Sequence, residues 1–497
     1  MPRTPGGWLR LLVVALAVVS STLLIVGVPV LSRPDDGGEP APSDLTEPPP
    51  PEPRGCVLDP ANLPPPPPRP DGRPANYLHT CGSRILDSRG NEVRITGINW
   101  FGMETGTYAP HGLAVRNYRS ILDQVVVLGY NTIRLPLSNE VLHPRHPPEG
   151  INYQVNPELE GLSGLEVLDR IVAAARERGL KIVLDRHRPT PEAQSALWYT
   201  EQVSEEQWIE DWRFLARRYL GDDTVIGVDL HNEPREPATW GTGDLSTDWR
   251  LAAERAGNAI LAENPYLLIF VQGVDLVGDD RYWWGGNLMG VREAPVRLDV
   301  PNRVVYTPHD YGPAVHPQPW FQAPDFPANL PGVWDRHWGY LHREGIAPVV
   351  LGELGGRSTG EDPEGLWQRA IFQYLADHGI GYIVWAINPN SSDTGGLLAE
   401  DWATVVQEKQ ALYRENLAPA IGGQLQRPPQ RVRVLYRAVD QKERSSAIHF
   451  AVRVANEGPD PLPLHRLELR YWFTAGELRG REQQVVVDWA DVGQGQV

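Results

Sequence analysis

Cysteine, methionine and basic residues are all scarce in this chain of 497 residues. It has 2 Cys and 3 Met, and 46 Lys and Arg stand against 63 Asp and Glu, for a formal net charge of −17. This acidic balance argues against a nucleic-acid partner, because phosphates would be repelled. The two cysteines, Cys56 and Cys81, are too few to form a metal site by themselves. They either pair in a disulfide, which we favour, or remain independent thiols.

One long apolar run occurs, at the N-terminus. Arg3 and Arg10 precede the stretch from Leu11 to Leu31, which only two serines and a threonine interrupt. This stretch is long for a signal-peptide core and long enough to cross a bilayer once. We therefore expect an exported chain that is secreted or extracellular. Residues 1–32 are either a cleaved signal peptide or an uncleaved membrane anchor with its basic end inside.

Proline, glycine and acidic residues dominate residues 33–75, which include Pro48 to Pro51 and Pro64 to Pro68. Such a composition cannot bury a core, so we predict an extended and partly polyproline-like spacer. A spacer of this kind would hold a folded domain away from a membrane or a cell wall.

Strand-like and helix-like segments alternate across residues 76–416. The predicted strands are Val93–Phe101, Asn131–Ser138, Lys181–Arg188, Val225–Pro234, Leu267–Val274, Arg303–Gly312, Ala347–Gly356 and Gly381–Pro389. The predicted helices are Val115–Leu128, Leu165–Arg178, Glu205–Tyr219, Asp248–Glu263 and Leu366–His378. In the helices, apolar residues recur at three- and four-residue intervals. Eight strands separated mostly by helices predict an α/β fold, a (β/α)8 TIM barrel, with long loops at Tyr153–Gly161 and Arg281–Pro301.

The alternation ends after Leu417. A linker over residues 417–429 leads into residues 430–497, in which no helix is predicted. The strand-like segments there are Arg431–Arg437, Ala447–Ala455, Leu467–Thr474 and Gln484–Trp489. Consecutive strands without helices predict part of a β-sandwich.

Polar and aromatic residues collect where six of the eight predicted barrel strands end. These clusters are Arg134–Pro136, Asp185–Arg188, His231–Pro234, His309–Tyr311, Glu353 and Trp385. The carboxyl ends of barrel strands meet at one face, where active sites form. Packing alone does not explain this coincidence, so we predict a catalytic site at this face.

Glu233 and Glu353 are the predicted catalytic pair. Hydrolysis of a glycosidic bond needs one acid to protonate the leaving oxygen and one carboxylate to meet the anomeric carbon. We assign Glu233 as the general acid/base and Glu353 as the nucleophile that forms a glycosyl ester. This retaining chemistry requires the two carboxyl groups to lie about 5–5.5 Å apart.

The other strand-end residues have predicted supporting roles. Arg134 and Tyr311 would hold Glu353 ionised and oriented, Asn232 would bond the sugar 2-hydroxyl, and Trp385 would stack under the ring. His187 and His309 either line the site or hydrogen-bond a loop. We predict no metal, because no third ligand has suitable spacing. Any single Trp is as easily core as platform, but Trp284 lies in a predicted loop and is favoured for substrate contact.

The chain from Ile85 to about Glu415 resembles a glycoside hydrolase family 5 endoglucanase (cellulase). The motifs that carry the resemblance are Gly97–Gly102, Leu184–Pro189, Ser195–Thr200, Asp229–Pro234, His309–Tyr311, Gly352–Glu353, Asn388–Pro389 and Asp393–Gly396. The resemblance implies the same roles for Glu233 and Glu353 and the same wall of supporting residues. It adds His111 to the cleft. It also implies retaining cleavage of β-1,4-glucan without a metal or organic cofactor.

The C-terminal segment is similar to the first half or so of a family 3 carbohydrate-binding module. The matching residues are Leu435–Tyr436, Val454–Gly458, Leu469–Thr474 and Val487–Ala490. Val487 stands where such modules usually have a Cys before Asp-Trp, and only part of the module is covered, so the resemblance does not by itself imply that this segment binds cellulose.

The leading prediction is thus an exported endo-β-1,4-glucanase that binds β-glucan, expected to be a monomer. Another β-glycan specificity on the same barrel, such as mannan or xyloglucan, stays open because loop residues set that choice. A catalytically inactive glycan-binding surface protein is the alternative from a different class.

Overall fold

The computed structural model describes residues 65–423, 432–438 and 450–456. Its main sheet has eight strands, which we label in chain order. They are β1 (Thr96–Asn99), β2 (Thr132–Ser138), β3 (Lys181–Arg188), β4 (Val225–Asp229), β5 (Leu268–Val271), β6 (Val304–Tyr306), β7 (Val350–Leu354) and β8 (Gly381–Val384). All neighbours pair in parallel, in the order β6-β5-β4-β3-β2-β1-β8-β7. Parallel bridges from Tyr306 to Val349 and from His309 to Glu353 join the two ends of the sheet. The predicted (β/α)8 barrel is confirmed.

Helices surround this barrel. They are α1 (Tyr118–Leu128), α2 (Gly164–Arg178), α3 (Glu205–Arg218), α4 (Trp249–Glu263), α5 (Leu330–Trp334), α6 (Tyr340–Arg343), α7 (Pro363–His378) and α8 (Gln407–Arg414). A π-helical turn, Asp335–Gly339, connects α5 to α6, and 3₁₀ turns lie at Asn139–Leu142, Pro157–Leu159, Met289–Arg292 and Pro319–Gln322. The second predicted long loop, Arg281–Pro301, begins at the last residue of the two-residue strand Asp280–Arg281 and contains the turn Met289–Arg292.

Local capping explains where the helices begin and end. Ser163 and Glu166 form a reciprocal capping box at the start of α2, which satisfies two backbone N–H groups that lack helical partners. Gly179 ends the same helix in the left-handed conformation at φ 77°, where a side chain would be strained. Asn117 caps α1, so this helix begins three residues later than the apolar pattern predicts.

A second apolar cluster closes the amino-terminal end of the barrel. Leu78 and Ile421 pack there against strand residues such as Phe270 and Val350. Leu78 precedes a small antiparallel sheet formed by His79–Cys81, Arg84–Leu86 and Glu92–Val93. Cys81 is disulfide-bonded; the other cysteine, Cys56, lies outside the described residues.

Residues 65–75, within the predicted spacer, lie against the same end of the barrel. Arg69 forms an ion pair with the buried Asp223 at 2.8 Å. The backbone N–H of Asn76 donates to the same carboxylate at 2.6 Å. The first described part of the proline-rich region is therefore fixed to the barrel by charge and by backbone hydrogen bonds.

Two strands of the C-terminal segment are described. Val432–Ala438 and Phe450–Asn456 pair antiparallel, with Val434 opposite Val454. They match the first two strands predicted there, while Leu467–Thr474 and Gln484–Trp489 lie outside the described residues. The apolar run from Leu11 to Leu31 also lies outside them. Within residues 65–423, 432–438 and 450–456, no helix has the length and apolarity needed to cross a membrane.

Candidate active site

The two predicted acids face each other at the carboxyl end of the barrel. Glu353 lies on β7, and Glu233 follows β4 with a left-handed backbone at φ 53°. Carboxylate oxygens of both residues and a ring nitrogen of His309 all lie within 4.8 Å of one another. The barrel thus brings together two acids that are remote along the chain.

Glu353 is held by donors on both carboxylate oxygens. Arg134 Nη1 donates to Oε1 at 2.7 Å, and Tyr311 Oη donates to Oε2 at 2.6 Å. The Glu353 residue is only 3% exposed. Charge-assisted hydrogen bonds of this kind are short and directional. They orient the carboxylate and complement its negative charge.

Arg134 is the cation at the centre of the site. Its guanidinium contacts Asp229 at 2.9 Å and Asp185 at 3.1 Å, and it donates to Asn99 and Asn232 at 3.0 Å each. Burial by itself would lower the pKa of Arg134, but the surrounding carboxylates raise it above its ordinary value. Arg134 therefore stays charged beside Glu353 at every working pH.

Glu233 has the environment of a general acid. Its side chain is 14% exposed, and its carboxylate lies 3.2 Å from His309 Nδ1. Burial raises the pKa of Glu233 above its ordinary value, although the positive charges of Arg235 and Arg134 act in the opposite direction. Since desolvation disfavours the charged form, Glu233 keeps its proton to a higher pH than an exposed glutamate does.

The two site histidines are neutral hydrogen-bonding groups. Burial lowers the pKa of both His187 and His309 to about 3. His187 Nδ1 contacts Asp185 at 2.7 Å, which fixes the orientation of the ring. His309 Nδ1 points to Glu233.

Glu233, His309 and Glu353 also form the one group of potential metal ligands found among the described residues. The guanidinium of Arg134 already neutralises Glu353 there.

Trp385 follows β8, the strand next to the one that carries Glu353. Its ring is nearly parallel to those of Phe101, at 5.2 Å between centroids, and His187, at 5.4 Å. The backbone N–H of Trp385 donates to the backbone carbonyl of Leu354, the residue after Glu353. His111 meets Phe101 edge-on at 5.4 Å, so it belongs to the same aromatic group.

The structure distinguishes the tryptophans that the sequence left ambiguous. Trp240 and Trp283 are buried, whereas Trp284 is 49% exposed. The guanidinium of Arg235 lies 4.1 Å from the centre of the Trp284 ring. Trp284 is therefore a surface aromatic, and its neighbour Gly285 lies close to the backbone of Glu233.

Gln272 and Asn99 are parts of the site that the sequence analysis did not single out. Gln272 accepts from the backbone N–H of Glu233 at 2.8 Å and donates to Asp229. Asn99 links Arg134 to the backbone carbonyl of Gly352, next to Glu353. Both residues stand at or just beyond the end of a strand, β5 and β1, so the strand-end criterion applied to all eight strands would have found them.

A (β/α)8 barrel with two facing glutamates, one held by Arg and Tyr and one desolvated, defines a glycoside hydrolase. Residues 86–391 match the cellulase family, glycosyl hydrolase family 5, and the chain belongs to that family. Residues 433–497 match the cellulose binding domain family, which agrees with the predicted C-terminal module.

Characterised relatives cover most of the barrel. An endoglucanase of Paenibacillus polymyxa is 52% identical over 349 residues, which are 69% of this chain and 88% of that protein. The major extracellular endoglucanase of Xanthomonas campestris pv. campestris is 41% identical, over 68% of this chain and 71% of its own length. A solved endocellulase of Pyrococcus horikoshii in complex with cellotetraose is 38% identical, with a TM-score of 0.66. It covers 69% of this chain and 99% of its own.

Proposed function

We propose that the protein is a retaining endo-β-1,4-glucanase that hydrolyses internal bonds of cellulose and related β-glucans. One observation carries the proposal: oxygens of Glu233 and Glu353 lie within 4.8 Å of each other. Inverting enzymes need about 6.5–9.5 Å between the carboxyl groups to admit a water, whereas retaining enzymes have about 5–5.5 Å. The close pair supports direct attack by one of the two carboxylates.

The surroundings of each acid support the division of roles. Glu353, oriented by Arg134 and Tyr311, attacks the anomeric carbon and forms a glycosyl ester. Glu233 protonates the departing oxygen in the same step and then removes a proton from the water that cleaves the ester. Arg134 also donates to Asn232 Oδ1, and the Asn232 amide nitrogen contacts His187 Nε2 at 3.5 Å, which leaves one amide hydrogen to donate to a sugar hydroxyl.

The relatives support the choice of substrate. Two of them are endoglucanases, and the Pyrococcus horikoshii endocellulase was solved with cellotetraose. The family match of residues 433–497 to a cellulose binding domain points to the same polymer.

Activity on carboxymethyl-cellulose tests the proposal. The wild type should release reducing ends and lower the viscosity early, since internal cuts shorten the polymer fastest. Glu353→Gln and Glu233→Gln should each lose at least about a thousandfold in kcat, because paired catalytic groups act as a unit. Glu361→Gln, at an acid whose side chain is 91% exposed, is the matched control and should keep full activity. Turnover in either catalytic variant close to that of the control would contradict the assignment.

The stereochemistry of the first product tests retention separately. Proton NMR during hydrolysis of a cello-oligosaccharide should show the β-anomer first, followed by slow mutarotation. An initial α-anomer would mean inversion, and the short distance between the two carboxylates would then not indicate a retaining mechanism.

Substrate specificity needs its own comparison. Cello-, manno- and xyloglucan-oligosaccharides at equal concentration should give the highest kcat/KM for the cello-series. A preference for either of the other series would make the protein a β-glycanase of different specificity on the same catalytic pair.

We further propose that the protein is exported, either secreted or held at the cell surface by residues 1–32, and that it acts as a monomer. The apolar run from Leu11 to Leu31 supports export, and one of the relatives is an extracellular enzyme. Cell fractionation with detection of residues 1–32 in the mature protein distinguishes a cleaved signal from an anchor. Light scattering on the purified protein measures its mass.

A further inference from the structure

Trp284 lies on the side of the cleft where the leaving part of the substrate must bind. The N–H of Gly285 donates to the carbonyl of Pro234 at 3.2 Å, so the loop with Trp284 is fixed to the residue that follows Glu233. A general acid must stand next to the oxygen that departs. Trp385, in contrast, is bonded to Leu354 beside the nucleophile. Trp284 thus belongs to the loop that contacts the residue after Glu233, whereas Trp385 lies next in the sheet to the strand that carries Glu353.

Arg235 supports Trp284 from one face. Its guanidinium carbon lies 4.1 Å from the ring centroid, yet 49% of Trp284 remains exposed. One ring face is therefore covered by the cation while apolar surface stays open. Sugar rings stack on such surfaces through their apolar faces, and a cation over the ring adds an electrostatic attraction that holds the indole in place.

Backbone contacts fix Arg235 itself. Its Nη1 donates to the carbonyl of Glu233 at 3.0 Å, and the N–H of Arg235 donates to the carbonyl of Ala196 at 3.3 Å. In the described part of the chain, no carboxylate is within ion-pair distance of this guanidinium. Arg235 is thus tied to the acid residue and to the loop after β3, and its charge is directed to the aromatic ring.

We propose that Arg235 is a specificity-determining residue of the leaving side. It positions Trp284 as a platform for the glucosyl units beyond the cleavage point and so sets how tightly this part of the chain binds. The inference rests on the proposed glucanase function and deepens it. Because a platform contacts bound sugar before and during the reaction, its loss should raise KM and leave kcat nearly unchanged.

Two substrates that differ in whether they occupy the leaving side test the proposal. Cellopentaose occupies both sides of the cleft, whereas β-cellobiosyl fluoride has a leaving group too small to reach Trp284. In Arg235→Met, KM for cellopentaose should rise about five- to tenfold, in line with a partly buried cation–π contact. At a pH on the plateau of the profile of each variant, where the protonation of Glu233 does not limit the rate, the kinetics of β-cellobiosyl fluoride should stay within about twofold of wild type. Arg235→Lys should lie in between, since it keeps the charge but not the planar group.

The control removes another cation–π contact, one that involves neither acid nor Trp284, together with an ion pair between Arg292 and Glu344. Arg292 lies 4.4 Å over the ring of Tyr340, between a 3₁₀ turn and α6, and Arg292→Met should change neither substrate's kinetics. A double-mutant cycle then asks whether Arg235 acts through Trp284. After Trp284→Ala has raised KM, adding Arg235→Met should raise it no further.

The possible outcomes separate the two proposals. If Arg235→Met slows both substrates equally, or if its effect adds fully to that of Trp284→Ala, the assignment of Arg235 is wrong. Activity on β-cellobiosyl fluoride also reports whether each variant is folded. If the wild-type protein hydrolyses neither substrate, the glucanase function fails instead.

Discussion

One guanidinium organises the acids of the site. Arg134 contacts Glu353, Asp185 and Asp229, and burial raises the pKa of each aspartate to about 7 even though Arg134 acts in the opposite direction. A single cation cannot compensate three buried carboxylates at full charge. The remaining negative charge is stabilised by hydrogen bonds, among them those from Gln272 to Asp229 and from Tyr311 to Glu353. Removing any of these donors should therefore lower kcat, because the charge or the orientation of Glu353 changes.

Tyr311→Phe tests this expectation directly. The change deletes the 2.6 Å hydrogen bond to Glu353 Oε2 and keeps the ring. A hydrogen bond to a charged group contributes about 1.5–3 kcal/mol, so kcat should fall about ten- to a hundredfold with little change in melting temperature. Tyr199→Phe, which removes a bond to the backbone carbonyl of the exposed Ser246, is the control. A Tyr311→Phe enzyme with wild-type kcat would show that Arg134 alone suffices to orient Glu353.

The dependence of activity on pH follows from Glu233. Burial raises its pKa, and the negative charge of Asp393 raises it further. The enzyme needs Glu233 protonated, so activity should fall as the pH rises through this pKa. Asp393→Asn removes the negative charge, lowers the pKa of Glu233, and should move the alkaline limb of kcat/KM to lower pH. Glu361→Gln should leave the alkaline limb of kcat/KM unchanged. If Asp393→Asn moves this limb to higher pH, the charge of Asp393 does not raise the pKa of Glu233.

The sequence predicts the catalytic acids and the strand ends that carry them better than it predicts the residues that hydrogen-bond those acids. Glu233, Glu353, Arg134 and Tyr311 follow predicted strands, and their side chains meet because the barrel gives all strand ends one level. The contact of Gln272 with the Glu233 N–H depends instead on the path of a loop. No periodicity in the sequence encodes that path.

At the scale of elements, the loop after β5 holds the acid in place. Gly285 has φ +66°, and a Cβ atom there would fall against Gln272 Oε1 and 3.2 Å from Glu233 Cα. The loop therefore approaches the acid as closely as a glycine permits. This close approach keeps Gln272 bonded to the Glu233 backbone.

Gly285→Ala should consequently displace Gln272 and lower kcat/KM at least about tenfold, as expected when a catalytic acid is misplaced. Gly278→Ala is a matched control in the same loop, because its φ is +61° but nothing lies within 4 Å of a Cβ there. Both variants carry a left-handed alanine that costs about 1–2 kcal/mol, so a difference in activity isolates the contact with Gln272. If the two variants have equal kinetics, the close approach of Gly285 does not position Gln272 and Glu233.

Strands and helices were predictable because each has its own period and caps. β2 and β3 were predicted to within a residue at each end, since in each a short apolar core is followed by the polar residues of a strand end. The sixth predicted strand, Arg303–Gly312, is regular only over Val304–Tyr306. Beyond Tyr306 the pairing with β7 continues only through the isolated bridge from His309 to Glu353, and a hydrophobic pattern does not show where regular pairing stops.

At the scale of the whole molecule, the proline-rich region and the barrel are connected by charge. Composition predicts a spacer up to residue 75, but it does not show which residues of such a region form ion pairs or hydrogen bonds with the barrel. Asp223 is 0% exposed and lies just before β4, at the end of the barrel opposite the active site. Arg69 reaches it at 2.8 Å and Lys181 at 3.5 Å, so this buried carboxylate depends on both cations.

Arg69→Met should therefore destabilise the barrel without affecting catalysis. Breaking a buried ion pair leaves an uncompensated charge and costs about 3–5 kcal/mol. Because Lys181 and the Asn76 N–H remain, we expect a loss of about 2 kcal/mol in the free energy of unfolding. Arg73→Met is the matched control: its side chain is 73% exposed and pairs with Asp71, and such surface pairs contribute about 0–1 kcal/mol. Urea unfolding monitored by tryptophan fluorescence measures both variants, and kcat on carboxymethyl-cellulose at 25 °C should be unchanged in each. If the two variants unfold at the same urea concentration, residues 65–75 do not stabilise the barrel and act as a spacer along their whole length.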